Sequence, residues 1–385
     1  MINMLTAYTF EVDDENLALR EILEQLNLKE TQLQNSVGIL SCHADFVETG
    51  VAQYIAGNLA FDVIGCTSMG CTTGGESSMF ALCLSVITSD ELAFTTAWAH
   101  NLEQAPEASL GEAVLEASSI KGGKVALTVP FLPISKTLSS EYVMNTLVRF
   151  LPGAPVFGTV ACDNTLQFER AACLINDEVK QDSLALLLVW GEMNPVFFVA
   201  HISEKYAQKY RGVITKAEGN LLQEINNMPA KEYLETIGIS VEEAIISGSV
   251  LPLLVEAPDG TKAVALGLYS VTPEGYVSCG GSMPVNGMLA VGTLEANDIL
   301  KTTEGLLQNA LDTGKRNGML MFPCGSRYIA MGDEPEREMD VVKRVLGDRI
   351  PFFLHYGWGE LCPMYDKTGT PVDKFHNFSF IGCIF

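Results

Sequence analysis

Chemistry-bearing side chains gather beside glycine at several places in the chain. The run Gly65-Cys66-Thr67-Ser68-Met69-Gly70-Cys71-Thr72-Thr73-Gly74-Gly75-Glu76 follows a short apolar stretch. Glycines there let the backbone approach a ligand, and hydroxyls with bare N–H groups suit a carboxylate or phosphate. The run is neither a P-loop nor a dinucleotide fingerprint, since no Gly-Lys-Ser/Thr and no helix pattern follow. No cofactor is expected. A tight link between two strands would use the same glycines.

Further on, Cys324-Gly325-Ser326-Arg327 follows the apolar run Met319 to Phe322. An Arg at the end of a buried strand can fork both oxygens of a ligand carboxylate, or pair with a nearby acid. Gly357-Trp358-Gly359-Glu360 and His376-Asn377 flank the last strands. Glu360 can accept a ligand ammonium or orient His376, and Trp358 offers a ring face to a cation. A β-turn with an exposed acid and a satisfied histidine would leave the same residues.

Cys66 has the local setting of a nucleophile, with His43, His355 or His376 as its base. A thiol reacts only in an electropositive pocket, and nothing in the sequence pairs these groups. The ten Cys and five His lack ligand spacing, and Cys66 with Cys71 cannot close a tetrahedral site, so no metal is expected. With no C-x-x-C pair and no secretory signal, a disulfide framework is not expected either.

The 385 residues give room for two or three domains. Hydrophobic residues make up 48% and charged ones 18%, with mean hydropathy +0.20, which excludes intrinsic disorder. The net charge of −23 repels phosphate backbones and anionic lipid, so neither nucleic acid nor membrane is an expected partner. No apolar run approaches the ~20 residues of a membrane helix, and the N-terminus turns acidic at Glu11. A cytoplasmic location is expected.

The elements that position these residues follow from periodicity. Asp13 to Leu28 reads as an amphipathic helix, expected to pack as an arm ahead of the first strand. Then one pattern recurs three times: buried strand, helix, buried strand, glycine-bearing loop, strand. The first copy has strands at Ser36 to Ser41, Asp62 to Gly65 and Met79 to Ile87, with a helix at Phe46 to Leu59. The second has strands at Lys124 to Phe131, Pro155 to Gly158, Ala171 to Ile175 and Ser183 to Trp190, with a helix at Ser140 to Leu151. The third has strands at Gly318 to Phe322, Pro351 to Leu354 and Asn377 to Phe385, with a helix at Glu334 to Leu346. Between the second and third copies, Asn220 to Leu234 carries helical patterns, and short strands follow around an Asp259-Gly260 turn. Leu294 to Leu311 reads as a helix. The fold class expected is α/β, two related modules of these units, with two stacked sheets flanked by helices as one form the pattern allows.

From about Ser36 onward the chain resembles the FIST (F-box and intracellular signal transduction) family. The resemblance rests on Val63-Ile64-Gly65-Cys66-Thr67-Ser68-Met69-Gly70, on Val156-Phe157-Gly158-Thr159-Val160-Ala161-Cys162-Asp163, and on Val213 to Asn220. It rests further on Pro229 to Leu234, Cys324, Arg327, Gly359-Glu360 and His376-Asn377. Where the family usually carries Glu after the glycine at 70, this chain has Cys71, with Glu76 as a distant substitute. Thr159 replaces a second glycine, and the Lys262 region lacks an Arg. The resemblance implies a sensory domain that binds small ligands such as amino acids. No attached output module is expected, so the protein would signal through a separate protein or act as a stand-alone binding protein.

The domains expected are an N-terminal arm at 1–35, a FIST N-terminal module at 36–228 and a FIST C-terminal module at 229–385. The expected ligand-binding residues are Gly65, Cys66, Thr67, Ser68, Gly158, Asp163, Cys324, Arg327, Trp358, Gly359, Glu360, His376 and Asn377. Arg327 and Glu360 are expected to meet at one hollow and hold a zwitterion. The competing reading is a cysteine-dependent hydrolase or transferase using Cys66 or Cys324.

Overall fold

A computed structural model describes residues 1–75, 78–119, 123–135, 137–165, 167–203, 210–246, 251–258, 264–366 and 368–385. Glu76, the Asp259-Gly260 turn and Lys262 lie outside these described residues.

The chain builds the same sheet unit three times. The first unit runs β1 (Ile2–Thr9), α1 (Glu15–Leu26), α2 (Leu28–Thr31), β2 (Asn35–Cys42), α3 (Ala44–Glu48), α4 (Val51–Gly57), β3 (Val63–Thr67), β4 (Cys71–Thr72) and β5 (Leu82–Ser89). The second runs β6 (Ala93–Ala99), α5 (Pro106–Ser119), β7 (Val125–Leu132), α6 (Ser140–Phe150), β8 (Gly158–Val160), β9 (Cys173–Ile175), β10 (Glu178–Lys180) and β11 (Leu184–Trp190). The third opens with β12 (Val196–Ala200). An insert follows, with β13 (Arg211–Glu218), β14 (Leu221–Ile225), β15 (Met228–Pro229), α7 (Ala230–Thr236), α8 (Val241–Ile246), β16 (Leu253–Glu256), β17 (Val264–Leu266), β18 (Leu268–Val271), β19 (Val277–Cys279) and β20 (Met288–Val291) forming a sheet of their own. The unit resumes with α9 (Ala296–Asp312), β21 (Met319–Pro323), α10 (Gly325–Ala330), α11 (Arg337–Leu346), β22 (Phe352–His355), β23 (Glu360–Tyr365), β24 (Pro371–His376) and β25 (Phe380–Ile384).

In each unit two strands joined through a helix are parallel neighbours: β2 with β3, β7 with β8, β21 with β22. The closing strand lies antiparallel on the far side of the first of these, as β5 on β2, β11 on β7 and β25 on β21. The opening strand then pairs with the closing one, as β1 with β5, β6 with β11 and β12 with β25. The expected repeat is therefore real, and longer by a leading strand and helix.

Each sheet takes its next strand from a different unit. β4 of the first unit pairs with β22 of the third, β9 of the second with β3 of the first, and β23 of the third with β8 of the second. The main chain repeats this exchange at the strand ends. The amides of Ser68, Ala161 and Gly357 donate to the carbonyls of Cys42, Leu132 and Pro323 at 2.9, 2.8 and 3.0 Å. Those of Cys162, Trp358 and Met69 donate across units to Thr67, Val160 and Tyr356 at 3.2, 2.9 and 3.3 Å. Equivalent places thus hold His43, Pro133 and Cys324, and likewise Cys71, Cys173 and Glu360.

Side-chain alternation sets the layers. Val37 and Ile39 of β2, Val129 and Phe131 of β7, and Leu320 and Phe322 of β21 share one core. Their neighbours face outward: Leu40 and Cys42 onto α1 and α4, Leu132 onto α5 and α6, Met319 and Met321 onto α9 and α11. Three helix-backed sheets enclose that core, in place of two stacked ones, and the class is α/β. Strands from both sides of residue 228 share sheets, so neither half closes its layers alone.

Three local expectations differ from the fold. Residues 1–35 are not a helical arm, since β1 pairs along its length with β5 and α1 covers that sheet. The helix expected over 46–59 is split by Gly50 at φ 86°. Asn220 to Leu234 is half strand, because Asn226 and Asn227 both adopt positive φ and turn β14 back onto β15. Among the described residues, no helix is long and apolar enough to cross a membrane.

Candidate functional site

Arg327 lies in α10, wholly buried. Its Nε and Nη2 donate to Glu338 Oε1 at 3.1 and 2.6 Å, Nη2 also to Thr303 Oγ1 at 2.8 Å, and Nη1 to the Phe378 carbonyl at 3.3 Å. The other oxygen of Glu338 accepts from Tyr356 Oη at 2.8 Å. This pair knits α10 and α11 to α9. The guanidinium fork is filled by an internal acid, so Arg327 is not a vacant carboxylate anchor, while its charge is close enough to Glu360 to favour that carboxylate.

Glu360 and His376 stand directly opposite each other on β23 and β24, which places both side chains on one face. Both are fully buried. Glu360 Oε1 accepts from the Gly359 amide at 3.1 Å, a contact that Gly359 allows by adopting φ 136°. Oε2 has no hydrogen bond. Burial holds this carboxyl well above the usual carboxylate range, against the Cys324 thiol, the Ser379 and Gly359 amides and the Arg327 charge, which favour the anion. His376 Nε2 lies 3.1 Å from the Cys362 carbonyl, so it carries the proton and Nδ1 is a bare lone pair. That Nδ1 also lacks a partner. Burial lowers His376 to about 4, so the ring is neutral near pH 7.

Around this pair the structure gathers Cys324, Asn377 and Ser379. Burial, then the Glu360 charge, push the Cys324 thiol far up. Asn377 ties the site to the insert: its Oδ1 accepts from the Gly267 amide at 3.0 Å, its amide donates to the Ala265 carbonyl at 2.8 Å, and its Nδ2 donates to Tyr269 Oη at 3.3 Å. Ser379 Oγ lies 2.9 Å from His201 Nδ1, and the His201 and His376 rings are 5.5 Å apart. His201, Ser379, Tyr269 and Glu338 were not foreseen. One signal was available, because Ala-His ends both β6 and β12, and His100 meets Ser183 at 3.2 Å as His201 meets Ser379.

The N-terminal residues of the expected site are spent on backbone. A Cβ on Gly65 would stand 1.8 Å from the Leu40 carbonyl, and one on Gly158 2.3 Å from that of Pro130, so both glycines serve strand contact. Thr67 Oγ1 accepts from the Ala172 amide, and Ser68 Oγ bonds Gly70 and the Tyr356 carbonyl. Asp163 caps its own loop through the Thr165 and Arg170 amides at 2.6 and 2.8 Å. Trp358 is half-buried against Phe168, ring centroids 4.6 Å apart.

Cys66 Sγ lies 3.6 Å from His355 Nε2, and His355 Nδ1 2.8 Å from Ser41 Oγ. The order suits a thiol, a base and an orienting group, yet all three are buried. Burial drives Cys66 far up and His355 down to about 3, which keeps both neutral. Among the described residues, no three His, Cys, Asp or Glu side chains gather as ligands to a metal.

Residues 36–228 match the family model of the FIST N domain, and residues 229–363 that of the FIST C domain. No curated protein matches the chain. FIST domains are generally sensory signal-transduction domains. With both domain types matched in order over most of its length, the chain belongs to the FIST family.

Proposed function

We propose that the protein is a sensor that binds a small amine-bearing molecule, such as an amino acid, between Glu360 and His376. One observation carries the reading: two facing, fully buried side chains each keep an unpartnered polar atom. Buried polar groups are ordinarily paired, and leaving one unmade costs ~1–3 kcal/mol. An ammonium donates to both at once. Its arrival ionises Glu360, and the nearby Arg327 charge eases that ionisation. Because the Arg327 fork is occupied, selectivity lies with the amine end.

The site is covered by β17 and β18 through Asn377. Entry of a ligand parts these contacts and moves the insert, which is the change a separate signalling protein would read. A thermal-shift panel of amino acids, simple amines and matched carboxylic acids tests the proposal. Amine-bearing compounds raise the melting temperature of the parent but not of Glu360→Gln. A panel in which nothing shifts, or acids shift as much as amines, overturns it.

The second reading, a cysteine enzyme, draws support from the Cys66–His355–Ser41 order alone. Burial of all three opposes it, since a neutral thiol beside a neutral imidazole is a poor nucleophile.

A further inference from the structure

We infer that Tyr269 of the insert is the gate of the Glu360–His376 site, the side chain that turns aside when an amine enters. The inference rests on the reading of that pair as the binding site. The groups packed round the pair are closed to water: Cys324, Asn377 and Ser379 are at most 5% exposed. Tyr269 is 44% exposed, yet its hydroxyl accepts from Asn377 Nδ2 at 3.3 Å. Its ring thus faces solvent while its tip reaches the site. Burial raises the pKa of that hydroxyl, the Asn377 bond opposes the rise, and charge on Cys324 and Glu360 adds to it, so the tip lies within their field.

Two local features aim the ring there. Leu268 pairs with Cys279 and Ser270 with Ser278, so Tyr269 is an extra residue in β18. Such a bulge re-aims one side chain. Glycines then clear its path. A Cβ on Gly280 would stand 2.1 Å from Asn377 Oδ1 and 3.1 Å from Tyr269 Oη, and one on Gly267 3.3 Å from the ring. Turning the phenol out breaks one long side-chain bond and leaves the Gly267 tie for the seated ligand to part. An exposed side chain makes such a turn quickly.

The first test needs no ligand. Cys324 lies behind the gate, and methyl methanethiosulfonate, small and uncharged, reports its access by peptide mass spectrometry. Tyr269→Ala should label Cys324 at least about tenfold faster than the parent, and Tyr269→Phe, which loses only the Asn377 bond, about threefold faster. Cys66, in the central core, should stay unlabelled in all three, which separates gating from unfolding. The second test takes an amine that the thermal-shift panel finds to bind. In Tyr269→Ala its association and dissociation rates by stopped flow should both rise about tenfold, while Kd changes less than about threefold, because a gate sets rates and not affinity. Equal Cys324 labelling in the parent and both variants, or a Kd that weakens with association unchanged, overturns the inference. Should no amine bind, the reading of Glu360 and His376 fails, and the Cys324 rates still decide whether Tyr269 closes that space. Should Tyr269→Ala fail to fold, by its thermal melt or by labelling at Cys66, Tyr269→Phe decides.

Discussion

Two buried polar clusters lie close together in the third unit and differ in one respect. Around Arg327 and Glu338 each charged group meets its counterpart, and Thr303 and Tyr356 complete the carboxylate. Around Glu360 and His376 the Gly359 amide and the Cys362 carbonyl meet one atom of each side chain. Glu360 Oε2 and His376 Nδ1 keep no hydrogen bond of good geometry, with the Cys324 thiol and Ser379 amide close to the carboxyl. Burial alone does not distinguish a structural group from a functional one, since all four are at 0% exposure. The two clusters differ in completeness of pairing: the finished one holds helices together, and the unfinished one is where the proposed ligand would have something to add.

The sharpest way to break this comparison is Arg327→Met. It strands the Glu338 carboxylate in a dry interior and should cost ~3–5 kcal/mol, read as a lower urea midpoint. Adding Glu338→Leu should return much of that loss, because two apolar residues need no partner. Near-normal stability of the single variant would mean that the ion pair is not structural.

Acid comes next in size. His376 and His355 are held to about 4 and about 3, against 6.5 for an ordinary histidine. Between these values the unfolded chain binds more protons than the folded one, so the histidines' contribution to stability is full above pH 6.5 and falls as pH drops. The limiting slope is about 1.4 kcal/mol per pH unit for each histidine. Urea midpoints from pH 7.5 to 4.5 should therefore fall less steeply for His376→Asn than for the parent. Identical slopes would place the ring in contact with water.

Glu360 works with the opposite sign. Its carboxyl is raised, so its neutral form favours the fold at low pH, and stability declines as pH climbs above 4.5. Glu360→Gln should raise the melting temperature at pH 8 and have no such effect at pH 4.5. A loss of stability at pH 8 would show the acid already ionised and paired without ligand. The smallest effect concerns the thiols, all ten of which are buried. Iodoacetamide at neutral pH should label none in the folded protein, and rapid labelling of Cys66 would revive the enzyme reading.

Much of the frame was legible because strands buried on both faces appear as unbroken apolar runs, as in Leu184 to Trp190. Edge strands were not. β1 mixes polar and apolar residues, and β4 is two residues long, with its partner in another unit. Nothing local announces a strand that pairs so far away. Gly359-Glu360 and His376 were legible as a pair of interest, and the β23–β24 register is what joins them. Arg327 was legible as a buried-strand cation, yet its partner is eleven residues on, across a turn that no periodicity specifies. The insert that covers the site was misjudged at Asn226-Asn227, a two-residue turn signal hidden among helix formers.

Titration calorimetry at pH 7, run in two buffers of different ionisation heat with an amino-acid panel, tests the central claim most directly. An ammonium seated between Glu360 and His376 ionises a carboxyl that was neutral, so binding should release about one proton, and Glu360→Gln should neither bind nor release it. No heat from any member with folded protein, or binding with no proton released and no loss in Glu360→Gln, would contradict the account.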